Sequence, residues 1–169
     1  QTCALPIYGV PQIRKRLVVI ATKKFMVDHF PPKTHTTHTD VDLFNSGLEK
    51  CPTLWDAISD LPDLEAREGA EVQVYTKSAQ NAYQAALRTH STKLHNHKAM
   101  SHSKRLVERF AAMAWGHSSS DVPDHLKPLK RNSTKISDKV YDQNNRRMYP
   151  HKPCHTVAAS FYANFVHPF

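Results

Sequence analysis

The sequence contains few glycines, few cysteines and no long apolar segment. The four glycines lie far apart, so no glycine-rich turn joins a strand to a helix; they are Gly9, Gly47, Gly69 and Gly116. The three cysteines are odd in number and distant from one another, which excludes a disulfide framework and a Cys-x-x-Cys metal site; they are Cys3, Cys51 and Cys154. No run of about 18 or more apolar residues occurs, and no charged-then-apolar leader opens the chain, so we expect neither membrane insertion nor secretion.

Positive charge is the most pronounced property of the composition. The 169 residues have a net charge of +8, a pI near 9.5 and twelve histidines. Such a chain is long enough for one domain with a core. Its charge indicates a polyanionic partner.

A turn and a strand near the N-terminus bring two arginines together. Gly9 and Pro11 mark the turn, and the apolar residues 17–21 that follow predict a strand buried on both faces. Residues two apart in an extended chain point the same way, so Arg14 and Arg16 should project from one side. Two guanidinium groups so placed suit a phosphate or a base edge. On this pattern alone, the alternative is that the two arginines are solvated basic residues at the end of the strand.

Two motifs at opposite ends of the chain carry a family resemblance. Residues 9–16, Gly-Val-Pro-Gln-x-Arg-x-Arg, followed by an apolar strand, resemble the eighth conserved motif of the DNA (cytosine-5) methyltransferases. Residues 152–160, which begin Lys-Pro-x-x-Thr-Val, and the Asn-Phe-x-His-Pro sequence of residues 164–168 resemble the ninth motif. In that family the two motifs bracket the target-recognition region, and about 130 residues separate them here.

The resemblance implies an irregular α+β fold. It consists of a target-recognition region plus one strand of a doubly wound α/β S-adenosylmethionine-dependent methyltransferase domain that is otherwise missing. Residues 8–24 would end the catalytic domain, residues 25–147 would form the recognition region, and residues 148–169 would return to the catalytic domain and be truncated. The cofactor turn and the nucleophilic Pro-Cys loop of the family would precede residue 8. We therefore expect an internal fragment with no cofactor-binding residue of its own.

The reaction implied by the resemblance is methyl transfer from S-adenosylmethionine to carbon 5 of a flipped cytosine. A cysteine thiolate first adds to carbon 6, and a fixed cation stabilises the charge that develops on the base. By the family motif, Arg16 would lie beside O2 of the cytosine, Arg14 would hold the flanking phosphates, and Gln12 would shape the pocket wall. Pro153 and Thr156 would be structural residues that seat the recognition region.

Cys154 follows a proline, but we do not interpret it as the nucleophile. It lies at a variable position within the ninth-motif match rather than in a loop before the eighth motif. Because the nucleophile and the cofactor pocket lie outside the fragment, the isolated chain should be inactive.

Residues 118–152 form a polar, basic segment without clear periodicity. Asn, Gln and Arg are the residue types that read base edges, and the family places readout in loops before the ninth motif. Disorder in the absence of DNA is compatible with that role. The predicted DNA-contacting residues are Lys130, Arg131, Asn132, Lys135, Asn144, Asn145, Arg146 and Arg147.

Local patterns predict short helices and one short strand. Residues 53–61 should form a helix capped by Thr53, residues 72–75 a strand and residues 79–87 a second helix. The best helix should run from Ser101 or Ser103 to Trp115, with Gly116 closing it. Its outer, basic face should carry Lys104, Arg105, Glu108 and Arg109.

The histidines invite a metal interpretation that their context does not favour. His35 and His38 have the spacing His-x-x-His, but no further ligand stands at a suitable spacing, so a hydrated loop is preferred. A second group should lie on a polar connection near a polyanion; it consists of His90, His95, His97 and His102. We expect no metal.

The first seven residues match what one reading frame of a widely used sequencing-library adapter encodes. Our hypothesis is that residues 1–7 are an assembly artefact and carry no information about the fold.

Two functional hypotheses remain at this point. The first is a fragment of a bacterial or phage DNA (cytosine-5) methyltransferase of a restriction–modification system, located in the cytoplasm at the nucleoid. Its partners would be double-stranded DNA and the missing catalytic domain. The alternative is a non-catalytic DNA-binding subunit, either part of a split methyltransferase or a stand-alone module.

Overall fold

Short helices and short strands alternate along the chain. A computed structural model describes residues 2–23, 31–37, 47–138, 146–157 and 165–168. The described strands are β1 (Thr2–Ala4), β2 (Gln12–Ile13), β3 (Lys15–Leu17), β4 (His35–Thr36), β5 (Glu49–Lys50), β6 (Gly69–Val74), β7 (Lys93–Lys98), β8 (Arg146–Arg147), β9 (Cys154–His155) and β10 (Phe165–Val166). The described α-helices are α1 (Leu54–Ile58), α2 (Ala82–Leu87) and α3 (Lys104–Ala111), with 3-10 turns at Leu5–Tyr8 and Asp124–Leu126. None of these helices is long and apolar enough to cross a bilayer.

The chain divides into two units, each of which combines an early and a late part of the sequence. Unit 1 comprises Gln1–Ala57 and Pro150–Thr156, and unit 2 comprises Ile58–Tyr149 and Val157–Phe169. The domain limits expected from the family resemblance stay a prediction.

Unit 1 is built from three separate strand pairs. Strand β1 runs antiparallel to β3, whereas β2 is parallel to β9 and β4 is parallel to β5. The β4–β5 pair is joined to the 3-10 turn because the Thr34 amide donates to the Ile7 carbonyl at 3.1 Å. His35 therefore lies in a short strand, and the predicted hydrated loop is wrong for this residue; His38 lies outside the described residues.

The predicted buried strand at residues 17–21 is not formed within the described part of this chain. Strand β3 ends at Leu17, and the apolar residues there and beyond are exposed, with Leu17 at 73% and Val19 at 81% of their full exposure. A strand buried on both faces needs neighbouring strands and a covering layer on each side. Among the described residues, β3 has only β1 as a partner, so β propensity alone does not extend it.

Helix α1 confirms the predicted capping. The Thr53 hydroxyl accepts from the Asp56 amide at 3.1 Å, and the Asp56 carboxylate accepts from the Thr53 amide at 2.8 Å. This reciprocal pair satisfies two amides at the start of the helix. The helix ends at Ile58, three residues earlier than predicted.

Unit 2 opens with an antiparallel ribbon formed by β6 and β7. Strand β6 includes residues 72–74 of the predicted strand and ends one residue earlier, whereas β7 was not predicted. His95 and His97 lie in β7, so the prediction that they belong to a polar connection is wrong. The reason is that backbone hydrogen bonds to β6, rather than apolar side chains, define this polar strand. In the described part of the chain, no group of three or more His, Cys, Asp or Glu residues could hold a metal ion.

Helix α2 is tied to the rest of unit 2 by polar groups. Asn81 caps its first turn by accepting from the Gln84 amide at 2.9 Å. The buried Gln84 side chain donates to the Ser59 hydroxyl at 2.8 Å. Arg88 stacks over the Tyr75 ring at 3.6 Å and forms an ion pair with the buried Asp60.

Helix α3 packs with its apolar face, through Phe110, against a buried cluster. Ser103 caps the helix, as expected, but the helix ends at Ala111. Met113, Val122 and Leu126 form a buried cluster against which Phe110 packs. Gly116 has the predicted left-handed backbone, with φ of 80°, yet it lies beyond the end of the helix and does not close it.

Candidate nucleic-acid interface

The two motifs from opposite ends of the chain meet in unit 1. Strand β2 pairs with β9 in parallel register, with Gln12 opposite Cys154. The Cys154 amide donates to the Pro11 carbonyl at 2.9 Å, and the Thr156 hydroxyl donates to the Ile13 carbonyl at 2.8 Å. Residues 143 positions apart in sequence thus form one small ladder.

The two motif arginines lie where this ladder passes into β3. Arg14 is half-buried between β2 and β3, and its carbonyl accepts from the Leu5 amide at 3.1 Å. Arg16 is exposed, and its Nη1 donates to the Lys15 carbonyl at 2.8 Å. Within the described part of the chain this one bond uses one of the five guanidinium donors, which leaves the others for an external acceptor.

The turn before β2 is shaped by His35. Gly9 has a φ of 80°, and a Cβ built on it would lie 2.6 Å from His35 Cε1. The His35 ring in turn approaches Thr34 Oγ1 at 2.8 Å and Glu49 at 3.4 Å. The Gly-Val-Pro-Gln turn therefore requires glycine at position 9 for both backbone conformation and space.

Both cysteines with described side chains are poor nucleophiles. Burial raises the pKa of the Cys51 thiol. Burial also raises the pKa of the Cys154 thiol, an effect that hydrogen bonds from Gln12 and the backbone oppose only in part. A raised pKa favours the thiol over the reactive thiolate at neutral pH. This agrees with the interpretation that Cys154 is not the nucleophile.

The predicted basic loop contains an ordered hairpin, formed by residues 128–137 and here called the basic hairpin. Leu129 pairs with Ile136, and the Lys130 amide donates to the Lys135 carbonyl at 2.9 Å. Asn132 reverses the chain with a left-handed φ of 54°. The exposed residues at its tip are Lys130, Arg131, Asn132, Thr134 and Lys135. Four of the predicted DNA-contacting residues therefore share one tip.

Two arginines of α3 hold the base of the basic hairpin. Arg105 Nη2 donates to the carbonyls of His125 and Lys127 at 2.7 and 2.9 Å. Arg109, only 8% exposed, donates from Nε to the Leu126 carbonyl at 2.5 Å. Burial, together with the nearby Arg105 charge, lowers the pKa of Arg109. The prediction that both arginines lie on an outer face is wrong. Their guanidinium groups instead turn toward the carbonyls of residues 125–127, which need hydrogen-bond donors.

The predicted DNA contacts in β8 have protein partners. Arg147 Nη2 donates to the Phe110 carbonyl at 2.6 Å, and burial lowers the pKa of this arginine. Half-buried Arg146 lies close enough to Asp121 to help lower the pKa of that carboxyl. Asn144 and Asn145 lie outside the described residues. DNA binding by these four residues stays a prediction.

The end of the ninth motif is anchored in unit 2. Strand β10 is parallel to β8, and the Trp115 indole donates to the Pro168 carbonyl at 2.9 Å. The Gly116 amide donates to the Arg147 carbonyl at 2.8 Å, and the Arg147 amide donates to the His117 carbonyl at 2.9 Å. No local sequence pattern predicts these contacts, because each of the bonds joins residues far apart in the chain and uses a backbone carbonyl.

Comparison with known proteins finds relatives of which this chain matches a part. It is homologous, over most of its length, to part of the type II methyltransferases. It is 45% identical over 163 residues to the type II methyltransferase M.DdeI of Desulfomicrobium norvegicum, a match that covers 96% of this chain and 38% of that protein. It is 27% identical over 122 residues to the type II methyltransferase M1.HphI of Haemophilus parahaemolyticus, covering 72% of this chain and 23% of that protein. The chain thus spans well under half the length of these curated relatives. No family model matches it.

Proposed function

We propose that the chain is the target-recognition segment of a DNA (cytosine-5) methyltransferase. The whole protein would transfer a methyl group from S-adenosylmethionine to carbon 5 of a cytosine flipped out of the duplex. The chain itself would supply DNA contacts and the motif arginines. Its irregular α+β fold would complete a doubly wound catalytic domain that lies outside these residues.

The observation that carries the proposal is the pairing of β2 with β9. A recognition region inserted between two motifs of one catalytic domain must leave that domain and return to it at neighbouring points. The ladder from Gln12 to Cys154 and the bond from Thr156 to Ile13 meet that requirement. Homology to two type II methyltransferases supports the methyltransferase class. The cytosine-5 assignment depends on the motif residues.

Arg16 would have the catalytic role. Addition of a thiolate to carbon 6 places negative charge on the cytosine ring, and a fixed cation beside O2 stabilises it. Exposed Arg16 can present its guanidinium there, whereas half-buried Arg14 suits a flanking phosphate, which a guanidinium binds as a fork. Gln12, bonded to the Cys154 thiol, would hold the pocket wall. The nucleophilic cysteine would come from outside this chain.

The residues of this chain do not fit the methyl donor. A glycine-rich turn would let backbone amides approach S-adenosylmethionine closely, but the four glycines lie far apart and one of them begins β6. We therefore assign the donor site to the proposed catalytic domain and derive no step through the donor from this chain.

Duplex DNA is the partner that the charge distribution supports. The basic hairpin projects Arg131, Asn132 and Lys135 from one tip, a set that binds phosphates and reads base edges, and Lys130 beside them pairs with Asp138. The exposed apolar residues 17–20 would pack as a strand in the sheet of the catalytic domain. Such an enzyme would belong to a restriction–modification system and act on the bacterial or phage genome in the cytoplasm.

A chimera tests the proposal. Residues 8–169 replace the matching segment of M.DdeI, and the nucleosides of host DNA are separated by chromatography. We expect 5-methylcytosine, with intact M.DdeI as the positive control and M.DdeI lacking the segment as the negative control. N4-methylcytosine or N6-methyladenine would contradict the cytosine-5 assignment. No methylation by a folded chimera, combined with DNA binding by the chain alone, would favour the non-catalytic DNA-binding subunit.

A further inference from the structure

The β6–β7 ribbon contains a cavity at an interruption in its ladder. Ala70 pairs with His97 and Val72 with His95, so Glu71 and Asn96 face each other, yet they do not join the ladder. Asn96 has a left-handed φ of 56°, which is unusual within a strand. A cavity of about 550 Å³ opens at this place. Its polar lining residues are Arg67, Glu71, Asn96, Lys98 and Ser101.

The backbone around the cavity is fixed by hydrogen bonds. The Arg67 amide donates to the Met100 carbonyl at 3.2 Å, and the Ala99 amide donates to the Glu68 carbonyl at 2.8 Å. Arg67 is itself held with a φ of 77°. Backbone strain at a non-glycine residue persists only where surrounding structure enforces it, and such positions concentrate at binding sites.

The charges that line the cavity distinguish two classes of ligand. Arg67 and Lys98 alone would suit a phosphate, but the Glu71 carboxylate lies 3.5 Å from Lys98 Nζ and would repel one. A carboxylate instead accepts from the exocyclic amines of cytosine and adenine. Asn96 can both donate and accept, as recognition of adenine requires. The lining therefore fits a base edge better than a phosphate.

We propose that the β6–β7 ribbon reads base edges in the DNA major groove through Glu71 and Asn96. This proposal rests on the proposed function, because it assumes that the chain recognises a DNA target. A two-stranded ribbon fits the width of the major groove. Glu71 and Asn96 are exposed at the middle of the ribbon, where such contacts are made. The ribbon is a second reading surface in addition to the basic hairpin.

The variants are chosen to keep the fold. Asn96→Gly removes the amide while favouring the same left-handed backbone, and Glu71→Gln keeps the size of the side chain while removing its charge. Glu108→Gln, at an exposed position on α3, removes the same charge away from the cavity and is the matched control.

The experiment selects duplexes from a random-sequence DNA library with the 169-residue chain. We expect the wild type to enrich a motif, and each of the two cavity variants to lose about tenfold or more discrimination at one position of it. Binding to unrelated DNA should stay within about twofold, and Glu108→Gln should keep the whole motif. Discrimination is then measured on duplexes that differ at single positions.

Three results would overturn the proposal. Unchanged motifs for both cavity variants would show that the ribbon reads no base. Uniformly tighter binding of Glu71→Gln to every duplex would assign the cavity to a phosphate. If the wild type enriched no sequence, the proposed target-recognition function itself would fail. If Asn96→Gly does not fold, Glu71→Gln alone distinguishes the proposal from the first two outcomes.

Discussion

Two pairs of arginines in this chain have opposite surroundings. Arg14 and Arg16 lie in a short, poorly covered segment, and among the described residues the Arg16 side chain donates to the neighbouring Lys15 carbonyl. Arg105 and Arg109 lie on α3 and donate to three consecutive carbonyls beneath the basic hairpin. The sequence pattern assigned both pairs to the surface.

The difference shows what decides the role of an arginine. A guanidinium that satisfies buried carbonyls stabilises the fold, because those acceptors would otherwise lose their bonds to water. An exposed guanidinium with few protein acceptors can bind an anion from outside. We therefore expect substitutions in the two pairs to change different measurements.

The largest effect should come from Arg16 in the M.DdeI chimera. Arg16→Ala should slow single-turnover methylation on the order of a hundredfold or more, because it removes a cation that acts mainly in the transition state. DNA affinity should change much less. Arg16→Lys should restore only part of the rate, since a point charge does not reproduce the fork.

Arg14→Ala is the matched comparison for that result. It should weaken binding alike for all sequences and reduce the salt slope of binding by about one. If Arg16→Ala weakened binding and left the chemical step unchanged, the two roles would be wrongly assigned.

The next largest effect should appear on α3 as a loss of stability. Arg109→Met should lower the free energy of unfolding by about 2 kcal/mol, because it leaves the Leu126 carbonyl buried without its donor. Lys104→Met, at an exposed position of the same helix, should change it by less than about 0.5 kcal/mol. Denaturant unfolding of the isolated chain measures the stability of both variants. Equal losses would show that Arg109 does not hold the base of the basic hairpin.

A smaller effect is expected at the tip of the basic hairpin. Arg131→Ala and Lys135→Ala should each weaken DNA binding severalfold and reduce the salt slope by about one, since each removes a phosphate contact. Lys77→Ala is the control, because the Lys77 ammonium already pairs with Asp63 at 3.2 Å. Salt titration of binding gives the slopes, and indistinguishable slopes for all variants would place the DNA elsewhere.

The smallest effect concerns Arg146 and pH. Hydrogen bonds from Ser118, with smaller contributions from His117 and Arg146, lower the pKa of Asp121 below its ordinary 3.8. Asp121 therefore stabilises the fold above that pH, and the stability is lost as pH falls through its folded pKa. In acid unfolding, Asp121→Asn should make stability depend less on pH. Arg146→Ala should move the pH at which this stability is lost slightly upward. No shift would show that Arg146 does not act on Asp121.

The local elements of the fold could be predicted because their signals are local. Thr53 and Asp56 cap α1, Ser103 caps α3, and the alternation around residues 72–75 marks β6. Strand β7 could not be predicted, because its polar residues acquire strand conformation only by pairing with β6. The predicted strand after Leu17 is not formed for the converse reason. These exposed apolar residues have the composition of a strand but lack partner strands among the described residues.

The candidate site could be predicted in outline from its motifs. The arginines at positions 14 and 16 and the basic residues at 130–135 were recognised from residue type and spacing. The roles of Arg105 and Arg109 were missed, because nothing in the spacing of charges along α3 shows which carbonyls will lie beneath them. The cavity at Asn96 was missed too, since it depends on a backbone irregularity.

The proposed function depends on the pairing of two motifs from opposite ends of the chain, and one cross-link tests that pairing. Gln12→Cys places a thiol opposite Cys154, about 5 Å away between backbones, which a disulfide can bridge. Under mild oxidation we expect a peptide that links position 12 to Cys154, and no such link when Cys154→Ser is added. If both thiols stayed free, or if position 12 joined another cysteine, the pairing of the motifs would be contradicted.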